Sequence, residues 1–175
     1  VDHLVRRLLT GKPDGEPDPA LFEKAAENFR SHYASVLTRA SHPFPGVVSS
    51  LKVLRTRGFK LACVTNKPAR FTAPLLQGLA LTGYFDLILS GDSLPRKKPD
   101  ALPLVYSAQV FGIDPARLLM VGDSPVDTVS ARAAGCPVFC VPYGYRGTLA
   151  VQELDCDAIV PTLPDLLDLI RLPHS

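Results

Sequence analysis

Short apolar segments alternate with helical patterns from about residue 43 onwards, and this alternation restricts the fold more than any other feature of the sequence. We predict strands at 60–64, near 87, at 118–121, at 138–141 and at 158–160, with helices that begin near 47, 68, 102, 125 and 163. Strands that alternate with helices form βα units, in which the strands are parallel and helices cover both faces of the sheet. The sequence therefore predicts an α/β fold around a parallel sheet.

The residues before about position 40 carry helical patterns alone. Asp18 and Pro19 have the residue types of an N-cap and a first helical position, and a single apolar face follows them along the next segment. The segment 41–46, Ser-His-Pro-Phe-Pro-Gly, interrupts that pattern and is typical of a linker. We expect two regions, a helical one over 1–42 and an α/β core over 43–175.

Polar side chains follow three of the predicted strands. Thr65 and Asn66 come after the first strand, Lys98 lies in the loop after the second, and Asp123 and Asp127 come after the third. Because parallel strands deliver their carboxyl ends to one edge of a sheet, we expect these residues to converge there. A hydroxyl, an amide, a lysine and two carboxylates together predict a site for a phosphate and a divalent cation.

The two aspartates favour a metal, although each has a second interpretation. A carboxylate beside a buried strand needs a cation or hydrogen-bond donors, and a hard oxygen ligand suits Mg²⁺. Asp123 could instead be a turn residue that caps the next helix. Asp127 follows Ser124 and Pro125 in the spacing of a capping box, so it could ligate the metal, act beside it, or stabilise the helix alone.

The other three residues favour phosphate binding. Thr65 and Asn66 lie where a strand gives way to a helix, so a hydroxyl and backbone amides can face a phosphate near a helix N-terminus. An ordinary turn and cap is the alternative. Lys98 would neutralise phosphate charge, and Pro99 restricts its backbone, whereas a solvated lysine in a basic loop is the alternative.

Five short motifs, taken in order, resemble those of the haloacid dehalogenase-like superfamily, and the phosphoglycolate phosphatase group within it fits best. They are Pro45-Gly46, the segment 64–68, the segment 83–86, Lys98-Pro99-Asp100, and Gly122-Asp123-Ser124 followed by Asp127. The resemblance implies a Rossmann-like core over 43–175 and the remainder of a helical cap domain over 1–42. It also implies that Lys98, Thr65 and Asn66 are catalytic and bind phosphate, that Asp123 and Asp127 hold the metal, and that Mg²⁺ is the cofactor.

The activity implied by the resemblance is Mg²⁺-dependent hydrolysis of a small phosphate monoester through an aspartyl-phosphate. We expect the substrate to be 2-phosphoglycolate, which would give glycolate. A sugar phosphatase or a β-phosphoglucomutase-like enzyme shares the core motifs and is an alternative within the fold. A non-catalytic homologue that has lost the nucleophile is an alternative from another class.

One motif of that family is missing. Its nucleophile stands in an apolar strand that ends in Asp-x-Asp-Gly, whereas the single Asp-Gly pair of this sequence, Asp14-Gly15, lies in a turn-rich stretch with no strand before it. Helical spacing begins at Val1. We expect that the core lacks its first strand, that an upstream segment of roughly 50 to 70 residues carries the nucleophile, and that the 175 residues alone are inactive.

Charge and composition restrict the classes of binding partner that the sequence suggests. With 19 basic and 17 acidic residues, the net charge of +2 gives no reason to expect nucleic acid or an anionic membrane. No apolar stretch reaches the ~20 residues of a membrane-spanning helix. The four cysteines lack zinc-site spacing, so we expect reduced, structural thiols and a cytoplasmic location. The family resemblance implies a small phosphorylated metabolite as the partner. The sequence does not indicate an oligomeric state.

Overall fold

A computed structural model describes residues 2–12, 15–39, 41–144 and 149–171. Asp14 of the Asp-Gly pair lies outside the described residues. Contacts divide the chain into two compact units, Val1–His42 and Pro43–Ser175. None of the helices in the described part is both long enough and apolar enough to cross a membrane.

The first unit consists of two helices that pack against each other, α1 (Asp2–Thr10) and α2 (Pro19–Val36). The Asp18 carboxylate accepts a hydrogen bond from the Leu21 amide at 2.9 Å, which confirms the predicted start of α2. Val5 and Ala26 are buried in this unit. The cap-and-proline signal is local, so it could be recognised without tertiary information.

The second unit alternates strands and helices as predicted. Its elements are α3 (Val47–Thr56), β1 (Ala62–Val64), α4 (Ala69–Gly78), β2 (Leu87–Leu89), α5 (Leu102–Phe111), β3 (Met120–Gly122), α6 (Pro125–Ala134), β4 (Val138–Cys140), β5 (Ala158–Ile159) and α7 (Leu163–Leu169). Short 3₁₀ turns lie at Thr82–Tyr84, Pro115–Arg117 and Val151–Glu153. The observed strands are shorter than the apolar runs that predicted them.

All the strand pairs among the described residues are parallel, which confirms the predicted α/β class. β1 pairs with β2 so that Cys63 lies opposite Ile88, and β3 pairs with β4 so that Val121 lies opposite Phe139. β5 pairs with the other side of β4. The described strands thus form two sheets, β1-β2 and β3-β4-β5.

The larger hydrophobic core surrounds β3 and β4. It includes Leu104 of α5, Ala131 of α6, Val138 and Cys140, each almost fully buried. A second cluster joins α3, α4 and the first sheet around Leu51. The helices thereby hold the carboxyl ends of the strands in place, and the polar loops after those ends build the site.

A cavity of about 340 Å³ lies between the two sheets. Ala62 and Val64 of β1 line it, as do Met120 and Val121 of β3, and most of the other lining side chains are aliphatic or aromatic. β1 and β3 each pair with one described strand only, so each leaves one edge without a described partner. The two open edges border the same apolar space.

Candidate active site

Lys98 occupies the centre of the candidate site. Its Nζ atom donates to the Asp127 Oδ1 atom at 2.7 Å and to the Val64 carbonyl at 2.7 Å. The side chains of Lys98 and Asp127 are only 8% and 6% exposed, so the ion pair is buried. The peptide bond between Lys98 and Pro99 is cis. Lys98 therefore contacts the end of β1 in one sheet and the first turn of α6, which follows β3 of the other sheet.

The Asp127 carboxylate is fully engaged by hydrogen bonds. Its Oδ2 atom accepts from the backbone amides of Asp123 and Ser124, both at 3.1 Å, and from the Ser124 hydroxyl at 2.7 Å. Burial alone would raise the pKa of Asp127, but the charge of Lys98 and the hydrogen bonds from Lys98, Ser124 and Asp123 hold that pKa below its ordinary value. Asp127 is therefore a carboxylate that orients its neighbours.

The loop after β1 brings in Thr65 and Asn66. The Thr65 hydroxyl accepts a hydrogen bond from the Lys67 amide at 3.1 Å, and the Asn66 Nδ2 atom donates to the Lys98 carbonyl at 2.7 Å. The Asn66 Oδ1 atom is buried and has no hydrogen-bond partner within the described part of the chain. A buried amide oxygen of this kind is an acceptor available to an incoming donor.

The described residues offer few oxygen ligands for Mg²⁺. Both oxygens of Asp127 accept hydrogen bonds, and Asp123, directly after β3, is the other carboxylate that the sequence predicts as a metal ligand. Among the described residues, no group of three or more His, Cys, Asp or Glu side chains could hold a metal. Mg²⁺ suits such a site, because it keeps several waters and binds through one or two carboxylates plus substrate oxygens.

The structure brings the five predicted residues together at one edge. Hydrogen bonds connect Asn66, Lys98, Asp127 and Asp123 in a chain, and Thr65 follows Val64, whose carbonyl Lys98 contacts. Sequence reasoning missed two contributions, the Val64 carbonyl and the Ser124 hydroxyl that contacts Asp127. Ser124 had a signal in its capping-box spacing, but the carbonyl had none, because a backbone oxygen carries no residue type.

The neighbours of Lys98 have structural roles. Arg96 forms an ion pair with Asp100 at 3.0 Å, and the Asp100 carboxylate accepts from the Leu102 amide at the start of α5. Lys97 is exposed. Lys98 is thus the buried cation of the basic cluster at 96–98.

The parallel α/β fold, with a buried lysine–aspartate pair at the carboxyl ends of its strands, is the type of fold and site that the sequence led us to expect of a haloacid dehalogenase-like hydrolase. Comparison with known sequences gives the same family. The model of the haloacid dehalogenase-like hydrolase family matches residues 12–141, and the chain belongs to that family.

Individual relatives narrow the comparison. A phosphoglycolate phosphatase of Thiobacillus denitrificans is 54% identical over 165 residues, which make up 94% of this chain and 73% of that protein. The phosphoglycolate phosphatase of Escherichia coli is 37% identical over 177 residues, which make up 99% of this chain and 70% of that protein.

Solved structures show the same relationship. The crystal structure of a predicted phosphoglycolate phosphatase from Haemophilus somnus superposes with a TM-score of 0.91 at 31% identity, over 98% of this chain and 77% of that one. A Thermotoga maritima structure named as a β-phosphoglucomutase has a TM-score of 0.74 at 22% identity, over 90% of this chain and 73% of that one. The second likeness shows the fold alone.

Proposed function

We propose that the protein is a Mg²⁺-dependent hydrolase of small phosphate monoesters, with 2-phosphoglycolate as its substrate and glycolate as the product. The buried Lys98–Asp127 pair at the carboxyl edge of the strands carries this proposal, because a cation fixed in that position is suited to a phosphoryl group. The names of the Thiobacillus denitrificans and Escherichia coli relatives support the substrate.

The residues divide the work as follows. Lys98 stabilises the negative charge of the phosphoryl oxygens, and the Thr65 hydroxyl and the Asn66 backbone amide bind and orient the same group from the loop after β1. Asp123 holds Mg²⁺, which when bound neutralises charge on the transferred group. Asp127 keeps Lys98 and the Asp123 backbone in place through hydrogen bonds. Asp127 thus acts beside the metal and does not ligate it.

The nucleophile of this proposal lies outside the 175 residues. The sequence has a single Asp-x-Asp pair, Asp155 and Asp157, and both bind Arg132, at 3.0 Å and 2.8 Å. The apolar cavity between β1 and β3, bordered by an open edge of each strand, supports an additional strand there, whose carboxyl end would point towards Lys98. We propose that such a strand carries the aspartate that attacks phosphorus, and that residues 1–175 without it are inactive.

The same proposal assigns the remaining parts. Residues 1–42 belong to the helical cap, and residues 43–175 form the Rossmann-like core. The four cysteines, Cys63, Cys136, Cys140 and Cys156, are free thiols, which supports a cytoplasmic location. A second aspartate of the additional strand would protonate the leaving oxygen and then activate water.

The alternatives have less support. A β-phosphoglucomutase activity relies on a likeness that shows the fold alone. A non-catalytic homologue would have no use for a buried lysine, because an ion pair taken out of water is often no more stable than a hydrophobic pair of similar volume. Lys98 and Asp127 nevertheless form such a pair here.

Phosphate release from a panel of phosphate monoesters tests the proposal on the full-length protein. We expect turnover of 2-phosphoglycolate ahead of sugar phosphates, loss of turnover with EDTA, and recovery with Mg²⁺. Lys98→Met should lower kcat by roughly 10² to 10³, the scale of a lost electrostatic stabiliser. Lys97→Met, which removes an exposed lysine next to it, is the matched control. Equal effects of the two substitutions would contradict the assignment of Lys98.

A further inference from the structure

Gly144 lies in direct contact with the Asp123 side chain. A Cβ atom built on Gly144 would stand 2.0 Å from both the Cβ and the Oδ2 atoms of Asp123, far inside van der Waals contact. Gly144 follows β4, and Asp123 follows the neighbouring β3, so two adjacent strand ends meet at this point. The backbone of one loop therefore forms one wall beside the carboxylate.

Two other glycines at the same edge have similar contacts. A Cβ atom on Gly91, after β2, would lie 2.2 Å from the Asn66 carbonyl oxygen, and one on Gly122, the last residue of β3, would lie 2.4 Å from the Asp127 Cβ atom. By contrast, a Cβ atom on Gly83 would meet nothing within 4 Å. Gly15 beside Thr10 and Gly46 beside Pro164 are similarly close-packed, so the tight contacts are not confined to the site, but three of them lie at its residues.

Neither partner of the Gly144 contact can retreat easily. The Asp123 amide is bound to Asp127, and its α-carbon follows a strand paired with β4. On the other side, the Tyr143 ring packs against Phe44 with centroids 4.5 Å apart, and the Tyr143 hydroxyl is hydrogen-bonded to the Leu163 backbone. A side chain at position 144 would therefore displace Asp123 itself, because the Asp123 Cβ atom overlaps as much as its carboxylate does and rotation of the side chain cannot relieve the contact.

We propose that Gly144 is a positioning residue that sets the place of the Asp123 carboxylate, and through it the affinity for Mg²⁺. The inference rests on the proposed role of Asp123 as a metal ligand. It adds a residue that touches neither phosphate nor metal, and that contributes through the absence of a side chain. Loss of such support around a metal ligand typically costs about 10-fold to 100-fold in affinity.

Mg²⁺ titration calorimetry on the full-length protein tests the proposal. Gly144→Ala should raise the dissociation constant for Mg²⁺ by roughly 10-fold or more, and Gly83→Ala should leave it unchanged. Inhibition by inorganic phosphate at saturating Mg²⁺ should be the same in Gly144→Ala as in the wild type, because Lys98 and Thr65 are not displaced. A general loosening of the site would weaken both.

The outcomes separate this inference from the proposed function. Wild-type protein that does not bind Mg²⁺ overturns the metal assignment of Asp123, and this inference with it. If the wild type binds Mg²⁺ and Gly144→Ala binds it equally well, the inference about Gly144 alone is overturned. The same holds if Gly144→Ala loses affinity for Mg²⁺ and for phosphate in parallel. If Gly144→Ala does not fold, Tyr143→Leu releases the same loop without steric overlap, and unchanged Mg²⁺ binding in that variant would also refute the inference.

Discussion

At the scale of single residues, the burial of the Lys98–Asp127 pair has a direct consequence for stability. Removing one partner of a buried ion pair leaves an uncompensated charge and costs about 3 to 5 kcal/mol. We predict that Asp127→Asn lowers the free energy of unfolding by about that amount, as measured by urea denaturation. The double variant Lys98→Met/Asp127→Asn should be more stable than Asp127→Asn alone, since it no longer buries a lone ammonium group. The opposite order would contradict a buried ion pair.

The pH dependence of stability gives a second check on the same pair. The pKa of Asp127 in the folded protein lies below its ordinary value of 3.8, despite burial, because Lys98, Ser124 and the Asp123 amide favour the charged form. The stabilisation is therefore complete above about pH 4 and is lost as the pH falls through the folded pKa. The difference in unfolding free energy between the wild type and Asp127→Asn should shrink over that acidic window.

At the scale of elements, α4 depends on a cap from another loop. Pro68 precedes this helix and provides no side-chain cap, and the Asp92 carboxylate accepts a hydrogen bond from the Ala69 amide at 2.8 Å. We predict that Asp92→Ala lowers the free energy of unfolding by about 1 kcal/mol and that Asp92→Asn, which keeps an acceptor, loses much less. Urea denaturation of both variants measures this. Equal losses would mean that the carboxylate acts through its charge.

The same elements show what the sequence could and could not predict. The starts of α2 and α6 were predictable, because Asp18-Pro19 and Ser124-Pro125 are signals within the helix itself. The cap of α4 was not, because Asp92 is 23 residues away in sequence from Ala69. The bounds of the strands could not be predicted for a similar reason. The apolar run at 118–121 predicts burial, but the strand extends over Met120–Gly122, because those are the residues that pair with β4.

The candidate site follows the same rule. The convergence of Thr65, Asn66, Lys98, Asp123 and Asp127 could be predicted, because their residue types and their places after strands are both visible in the sequence. The contact between Gly144 and Asp123 was not predictable, since it depends on the spacing of two neighbouring strands. Side-chain chemistry is encoded locally, whereas close approach of backbones is a product of the assembled sheet.

At the scale of the whole molecule, the cavity between the sheets predicts how the 175 residues behave alone. Open edges at β1 and β3 favour association with other chains, and every apolar side chain that an added strand would bury contributes about 1.5 to 3 kcal/mol. We predict that residues 1–175 aggregate or unfold without a cooperative transition, and that adding the proposed strand restores one. Calorimetry and phosphate release on both forms measure this.

A soluble, cooperatively melting 175-residue protein that hydrolyses 2-phosphoglycolate with Mg²⁺ would refute the prediction. Cooperative melting without activity would refute only the predicted instability and would agree with the proposal that the nucleophile lies outside these residues. The two measurements therefore separate the contribution of the added strand to folding from its contribution to chemistry.

The position of Lys98 between Val64 of one sheet and Asp127 beside the other has an evolutionary consequence. In the proposed function, one ammonium group would provide both the charge for turnover and a bond between the two sheets of the core. Natural selection for activity would then also preserve the contact between the sheets. A substitution of this lysine that improved packing would be expected to lose catalysis in the same step.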